Sequence, residues 1–348
     1  MTLKLLINLL GGATLKIFVT GGAGFIGSEF VRMSLNGDLQ DIGINPTKVI
    51  VYDALTYAGN LNNLKSVSSD IRYEFIQGNI CDLQILNKIP DDCDLIINFA
   101  AESHVDRSID GPDVFVKTNI LGTQNLLEAA KKKGVKKFVQ ISTDEVYGSI
   151  ETGSWDEQFP LKPNSPYAAS KAAADLISLS YYKTFGLPVI ITRCSNNYGY
   201  FQNIEKLVPL FITNLLAGRK VPLYGSGNNI REWIHVSDHI RGIAHVIRYG
   251  ELGEVYNIAG DTELTNLDIT RLLLKYFNLD ETYIAYVTDR KGHDFRYALN
   301  SSKIQDIGFK NKVEFKQGIE STILWYKNNK DWYMHRSKNS INHISLNE

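Results

Sequence analysis

Short apolar runs separated by longer stretches of helical period organise the first half of the chain. Lys16-Ile17-Phe18-Val19-Thr20, Lys48-Val49-Ile50-Val51-Tyr52, residues 71–77, Asp94-Leu95-Ile96-Ile97-Asn98-Phe99, Lys137-Phe138-Val139-Gln140-Ile141 and Pro188 to Arg193 are strand-length and nearly continuous in apolar character. Such runs suit strands buried on both faces. Their alternation with helical patterns predicts an α/β fold built on a doubly wound parallel sheet. The two longest helical patterns, 113–133 and 168–185, carry apolar residues on more than one side. A second buried face on each is therefore expected, and a homodimer packed through these two helices would supply it.

After Arg193 the rhythm changes. Glycine-rich turns at 225–229 and 250–253 separate short helical patterns at 207–216 and 267–277. The expected organisation is a nucleotide-binding domain over 16–195, then a smaller, mainly substrate-binding C-terminal domain over 196–335. A segment near 233–260, containing Val255-Tyr256-Asn257-Ile258-Ala259, is expected to return to the first sheet. Residues 1–15 read as an N-terminal extension: the apolar stretch Leu3 to Leu10 is too short and too weakly charged for a signal peptide. Residues 336–348 are polar and aperiodic, and read as a disordered tail. No window approaches the ~18 apolar residues of a membrane span.

Composition narrows the class. With 348 residues, 44% hydrophobic and a net charge of −1, the chain has an ordinary core and no basic excess for nucleic acid. The densest basic run, Lys131 to Lys137, flanks Gly134 at a helix end, where cations suit the helix dipole. Cys81, Cys93 and Cys194 are odd in number and far apart, with no Cys-x-x-Cys or Cys/His cluster. Free thiols, no metal site and a cytoplasmic location are expected.

The first strand runs straight into Gly21-Gly22-Ala23-Gly24-Phe25-Ile26-Gly27 and then a helical pattern. Strand, glycine turn and helix together make a dinucleotide-binding fingerprint. The glycines permit a tight turn, close approach of backbone N–H groups to a pyrophosphate, and helix–sheet packing. The second strand ends at Asp53, placed to accept hydrogen bonds from a ribose, although it lies further from Gly27 than the usual ~20 positions. The polar segment 36–47 reads as the inserted loop responsible. No Arg or Lys follows Asp53 closely enough to meet a 2′-phosphate, so NAD is expected rather than NADP.

Tyr167 and Lys171 are four apart, and Ser165-Pro166 supplies a cap and a first-turn proline for one helix carrying both. An adjacent ammonium lowers a phenol from its usual value of about 10, making Tyr167 a usable base. Just upstream, Thr143-Asp144-Glu145 places two carboxyl groups side by side. Mutual repulsion should raise one of them, which would set a proton donor beside a base.

These blocks, with Leu55 to Asn60, Ala100 to Ser108, Asn196-Asn197-Tyr198-Gly199 and Gly292-His293-Asp294, make the chain resemble the extended short-chain dehydrogenase/reductases, and among them the nucleotide-sugar 4,6-dehydratases, from about Lys16 to about Trp332. The resemblance implies NAD-dependent oxidation of glucose C4, removal of the C5 proton by Glu145, loss of the 6-hydroxyl as water with a proton from Asp144, and hydride return to C6. Thr143, Asp144, Glu145, Tyr167 and Lys171 would be catalytic. Gly21, Gly24, Phe25, Ile26, Gly27, Asp53, Asp82, Ala100, Tyr167 and Lys171 would hold the cofactor. Ser103, His104, Asn196, Asn197, Lys206, Arg231 and Arg296 would line the nucleotide-sugar site. The implied substrate is dTDP-glucose, and the implied product a 4-keto-6-deoxy precursor of rhamnose or another deoxysugar. UDP-glucose or another nucleotide-sugar remains the alternative, with an epimerase, a decarboxylase or a non-catalytic NAD-binding module further off. Related sequences carry prolines where Tyr200 and Ile204 stand, so a looser backbone is expected there.

Overall fold

The computed structural model describes residues 15–334. The expectations for residues 1–14 and for the 336–348 tail lie outside the described residues, and Leu15 already belongs to the first strand. Six strands come first: β1 (Leu15–Thr20), β2 (Pro46–Asp53), β3 (Tyr73–Gln77), β4 (Leu95–Asn98), β5 (Lys137–Thr143) and β6 (Val189–Cys194). β7 (Asn196–Tyr198), β8 (Val221–Tyr224) and β9 (Ile230–His235) leave the sheet, and β10 (Val255–Ile258) rejoins it by pairing with β6. The resulting seven-stranded sheet has the order β10-β6-β5-β4-β1-β2-β3, and every pairing in it is parallel. Sequence direction reverses between β1 and β4, the switch point where doubly wound sheets open a crevice at the carboxyl ends of their strands.

The near-continuous apolar strands have the physical cause expected of them, because helices cover both faces. One core joins Ile17, Val19, Val49 and Val51 to Phe30 and Val31 of the Phe25–Asn36 helix and to Ile240, Ile243 and Ile247 of the Val236–Tyr249 helix. The opposite core joins Phe18, Ile96 and Phe138 to Leu126, Leu127 and Tyr181. The region read as a simple loop insertion is more structured than expected. Leu39, Ile42 and Ile44 are buried in the first core, around a 3₁₀ turn at Gln40–Ile42. Apolar residues spaced among polar ones hid that role.

The Pro166–Phe185 helix starts as its sequence suggests. The Ser165 hydroxyl accepts from Ala168 N at 3.1 Å, Pro166 opens the helix, and Gly186 closes it at φ 70°. The 113–133 pattern contains a π-helical segment, Val116–Gly122, between Asp113–Phe115 and the Thr123–Lys133 helix. Both helices leave apolar side chains in the open: Val114, Val116, Leu121 and Leu176 are 44–59% exposed.

Beyond the main sheet, β11 (Thr262–Thr265) pairs antiparallel with β9, which pairs parallel with β7, and β12 (Ile284–Val287) pairs with β8. These strands and the helices Leu207–Leu216, Asn266–Tyr276 and Phe315–Asn328 enclose a separate core around Phe211, Trp233, Leu273 and Tyr326. No helix among the described residues is long and apolar enough to cross a membrane.

Candidate active site

The glycine turn is shaped by close approach. Gly21 has φ +67°, and a Cβ there would lie 2.5 Å from Ala100 N; a Cβ on Gly27 would lie 2.4 Å from Gly21 O. No larger residue fits without moving backbone. Gly24 precedes the Phe25–Asn36 helix and offers no side-chain cap to its first-turn N–H groups, those of Phe25 and Ile26 among them. Asp53 lies across the turn, its Oδ2 accepting from Ala23 N at 2.9 Å and its Oδ1 from Leu55 N at 2.8 Å. Burial raises its pKa while these amides oppose the rise. Asp82 stands beyond β3, ahead of the Leu83–Lys88 turn. This cradle fits a dinucleotide: bare backbone donors for a pyrophosphate, with a carboxylate at the next strand end.

At the carboxyl end of β5 the chain enters a 3₁₀ turn, Asp144–Tyr147, capped by the Thr143 hydroxyl. Thr143 Oγ1 donates to Asp144 Oδ1 at 3.1 Å and accepts from Glu145 N at 3.3 Å, and its hydroxyl opposes the rise in the pKa of Tyr167. Asp144 is 3% exposed, and its Oδ2 is buried without a hydrogen-bond partner. Burial first, and the neighbouring Glu145 second, push its carboxyl up to about 8. Glu145 is also raised by burial, but the positive charges of Arg290, Lys206 and Arg231 counter the rise. Burial thus raises both adjacent acids, reinforced at Asp144 by the charge of Glu145 and opposed at Glu145 by the three cations.

Tyr167 and Lys171 share the helix above this turn, but their electrostatics differ from the simple expectation. Burial, followed by the negative field of Glu145, raises the Tyr167 hydroxyl well above its ordinary value. Lys171 Nζ donates to Ile141 O at 2.5 Å, and burial lowers the ammonium.

A cationic wall faces Glu145. Lys206 Nζ donates to Ser103 O at 2.6 Å. Arg231 is 5% exposed; its guanidinium donates to the carbonyls of Ile230, Phe295 and Asp294 and lies 4.2 Å from the Tyr297 ring centre. His104 caps the Val105–Asp110 helix, and burial, with Lys206 and Arg107, brings it down to about 3, so it is neutral. Asn196 Oδ1 is buried and unpartnered. Asn197 is engaged internally instead: its Nδ2 donates to Ser195 O at 3.0 Å and its Oδ1 meets His239 Nδ1 at 2.9 Å.

Arg296 stands apart from this wall, gripping both oxygens of Glu263 at 2.7 and 2.9 Å. The arginine that acts on Glu145 is Arg290, which sequence reasoning passed over although it stands just before Gly292-His293-Asp294. Its Nη1 lies 3.5 Å from Asp106 Oδ1, and its Nε is buried without a partner. Glu232 was also missed. It is buried beside Arg231, pushed up to about 8 mainly by burial, and within the field of Asp144. A charged pair at a strand position gives no sign of facing inward until β9 is placed.

The 199–206 loop corrects the expectation of slackness. Tyr200 stacks on Trp325 at 6.1 Å, Phe201 packs at 4.5 Å from Trp325 and 5.7 Å from Trp332, and Arg32 covers Phe201 at 4.3 Å. Aromatic contacts constrain the segment that prolines would otherwise stiffen.

Fold and site together define an NAD-type nucleotide-binding sheet with an acid/base cluster at the carboxyl end of β5. A family model described as GDP-mannose 4,6 dehydratase matches residues 18–322, and the chain belongs to that family. It is 51% identical over 320 residues to a dTDP-glucose 4,6-dehydratase of Streptomyces niveus, covering 92% of this chain and 95% of that one. The crystal structure of DesIV, a dTDP-glucose 4,6-dehydratase from Streptomyces venezuelae with NAD and TYD bound, matches with a TM-score of 0.91 and 52% identity over 92% of this chain and 100% of that one. A UDP-glucose 4-epimerase from Thermotoga maritima with UDP-glucose matches at a TM-score of 0.81 and 29% identity, over 90% of this chain and 99% of that one.

Proposed function

We propose that the protein converts dTDP-glucose to dTDP-4-keto-6-deoxyglucose and water with NAD as its cofactor. The observation that carries this reading is the pair of adjacent acids beside Tyr167, with Asp144 brought to about 8 so that it holds a proton at neutral pH. The similarity to curated dTDP-glucose 4,6-dehydratases supports the same substrate.

In this reading residues 16–195 carry the cofactor and 196–335 most of the sugar-nucleotide contacts. Gly21, Gly24 and Gly27 with the first-turn amides of Phe25 and Ile26 receive the pyrophosphate, Asp53 the ribose, and Asp82 and Ala100 flank them. NAD, when bound, supplies reversible acceptance of the hydride from the sugar. Tyr167, aided by Thr143 and Lys171, takes the 4-hydroxyl proton. The C4 ketone acidifies C5–H, and Glu145, drawn toward its anion by Arg290, Lys206 and Arg231, removes that proton. Asp144 donates to the departing 6-hydroxyl. Glu145 then returns its proton to C5. Lys206, Arg231, Arg290 and Asn196 suit the diphosphate side, where guanidinium forks match paired oxygens. Ser103, His104 and Asn197 shape that wall, and Arg296 braces its rim through Glu263.

A homodimer packed through 113–133 and 168–185 fits the exposed Val114, Val116, Leu121 and Leu176. A second copy of the same surface would bury them symmetrically. Free Cys81, Cys93 and Cys194 fit work in the cytoplasm.

The test incubates purified protein separately with dTDP-glucose and UDP-glucose and reads the alkali-induced absorbance of a 4-keto-6-deoxy product. Formation from dTDP-glucose is expected. Activity with UDP-glucose alone would replace the substrate, and no product from either would remove the reading.

A further inference from the structure

Behind Tyr167 and Lys171, the same helix carries a third ionisable side chain that the chemistry above leaves unused. Asp175 follows Lys171 by one helical turn and is 0% exposed. Its Oδ2 accepts from Arg193 Nε at 2.9 Å, whereas its Oδ1 is buried without a hydrogen-bond partner. Arg193, on β6, also donates to the Tyr147 hydroxyl at 2.8 Å, and Tyr147 donates to Asn257 Oδ1 at 3.0 Å. The carboxylate is thereby fixed from β6, from the turn bearing Asp144 and Glu145, and from β10. A buried ion pair is weak evidence of stabilisation, because desolvation often cancels the attraction. An acid retained there with one oxygen unsatisfied suggests a further role.

Lys171 provides it. Its ammonium reaches a neutral carbonyl, Ile141 O, on β5. The ionisable groups acting on it are Asp175 from its own helix and the Cys194 thiol from β6, both favouring the cation against burial. Tyr167 is faced by Glu145 and Asp144 from the 3₁₀ turn, by Cys194 from β6 and by the Thr143 hydroxyl. From the Val116–Gly122 segment the helix receives a neutral group, Asn119, bonded to Ser170 Oγ at 2.8 Å.

We infer that Asp175 is a positioning residue: clamped by Arg193, its carboxylate holds Lys171 cationic one helical turn from Tyr167 so that the tyrosine can serve as base. This role rests on the proposed assignment of Tyr167 and Lys171. Without it, the lysine would lose its proton more readily in this dry site, and the phenolate would lose its neighbouring charge.

The experiment is the pH dependence of kcat/KM for the NAD-loaded enzyme on dTDP-glucose. In Asp175→Asn the rising limb should move about one pH unit to the alkaline side, cutting activity at pH 7 about tenfold with recovery at higher pH. Asp175→Glu should bring the limb most of the way back. Because Asp175→Asn strands the Arg193 charge, the neutral pair Asp175→Asn with Arg193→Gln is measured alongside; a smaller displacement of the same sign is expected. A folded variant with uniform loss at every pH and an unmoved limb would overturn the role, as would failure of both variants to fold, which would mark Asp175 as purely structural. Tyr167→Phe separates the two levels. If it remains active, the base assignment fails; if it is inactive while the Asp175→Asn limb stays in place, only the role of Asp175 fails.

Discussion

The two ends of the cleft are built differently. At the cofactor end the glycine turn works through backbone: Gly21 and Gly27 sit where a Cβ would strike main-chain atoms, and Asp53 ties β2 to the turn through the Ala23 amide. At the acid end, function depends on side-chain charge gathered from afar, with Glu145 balanced by Lys206, Arg231 and Arg290. Steric sites fail by collision, and electrostatic sites fail by retuning. The first kind should lose binding, the second rate or pH range.

The sharpest break in that contrast comes from Asp144→Asn. Turnover should fall about 10²- to 10⁴-fold, the usual span for a lost general acid, while NAD affinity stays near wild type. Chromatography should find a 4-keto sugar nucleotide retaining its 6-hydroxyl. Elimination at the wild-type rate would transfer the donor role elsewhere.

Gly27→Val tests the opposite end. Its side chain would enter the space held by Gly21 O, and NAD affinity should weaken by about 100-fold in calorimetric titration. Unchanged affinity would mean that the turn is not the pyrophosphate cradle.

Within the acid end, Arg290 and Arg296 offer a smaller comparison. Arg290→Met should raise KM for the nucleotide-sugar about 10- to 100-fold, as loss of a charged hydrogen-bonding partner does. Arg296→Met, which removes an arginine pairing Glu263 near the surface, should stay within about threefold. The reverse ranking would restore Arg296 to the diphosphate.

Stability should carry the same electrostatic signature. Asp144 and Glu232 are both lifted to about 8 from unfolded values of 3.8 and 4.5. The folded chain therefore holds these protons where the unfolded chain has released them, and stability falls as pH rises from about 4 through about 8. Denaturant titrations should show that decline, shallower in Asp144→Asn. The smallest effect belongs to Phe201→Ala, which loosens the aromatic clamp and should lower unfolding free energy by about 1–3 kcal/mol.

Much of the cofactor end was legible because its parts are local. Strand, glycines and helix lie within a few turns of chain, and Ser165-Pro166 announced the helix bearing Tyr167 and Lys171. Legibility declined with sequence separation. Arg290 and Arg296 belong to one short block and look interchangeable in sequence, yet one faces Glu145 and the other Glu263. Asn196 and Asn197 alternate across a strand, so one leaves its oxygen unpaired and the other bonds to His239. The lost prolines suggested slackness because Trp325 and Trp332, more than a hundred positions away, could not be seen to pack there.

Sequence by itself determined the alternation of strands and helices, the backbone cradle for a dinucleotide, and the presence of two acids, a tyrosine and a lysine in usable spacing. Periodicity and steric demand act over a few residues, so they survive in one dimension. Tertiary structure alone decided how burial and remote charges act on the two acids, which arginine acts on Glu145, and what stands behind Lys171. Those outcomes depend on desolvation and on distances between charges, and neither exists until remote segments are folded against each other.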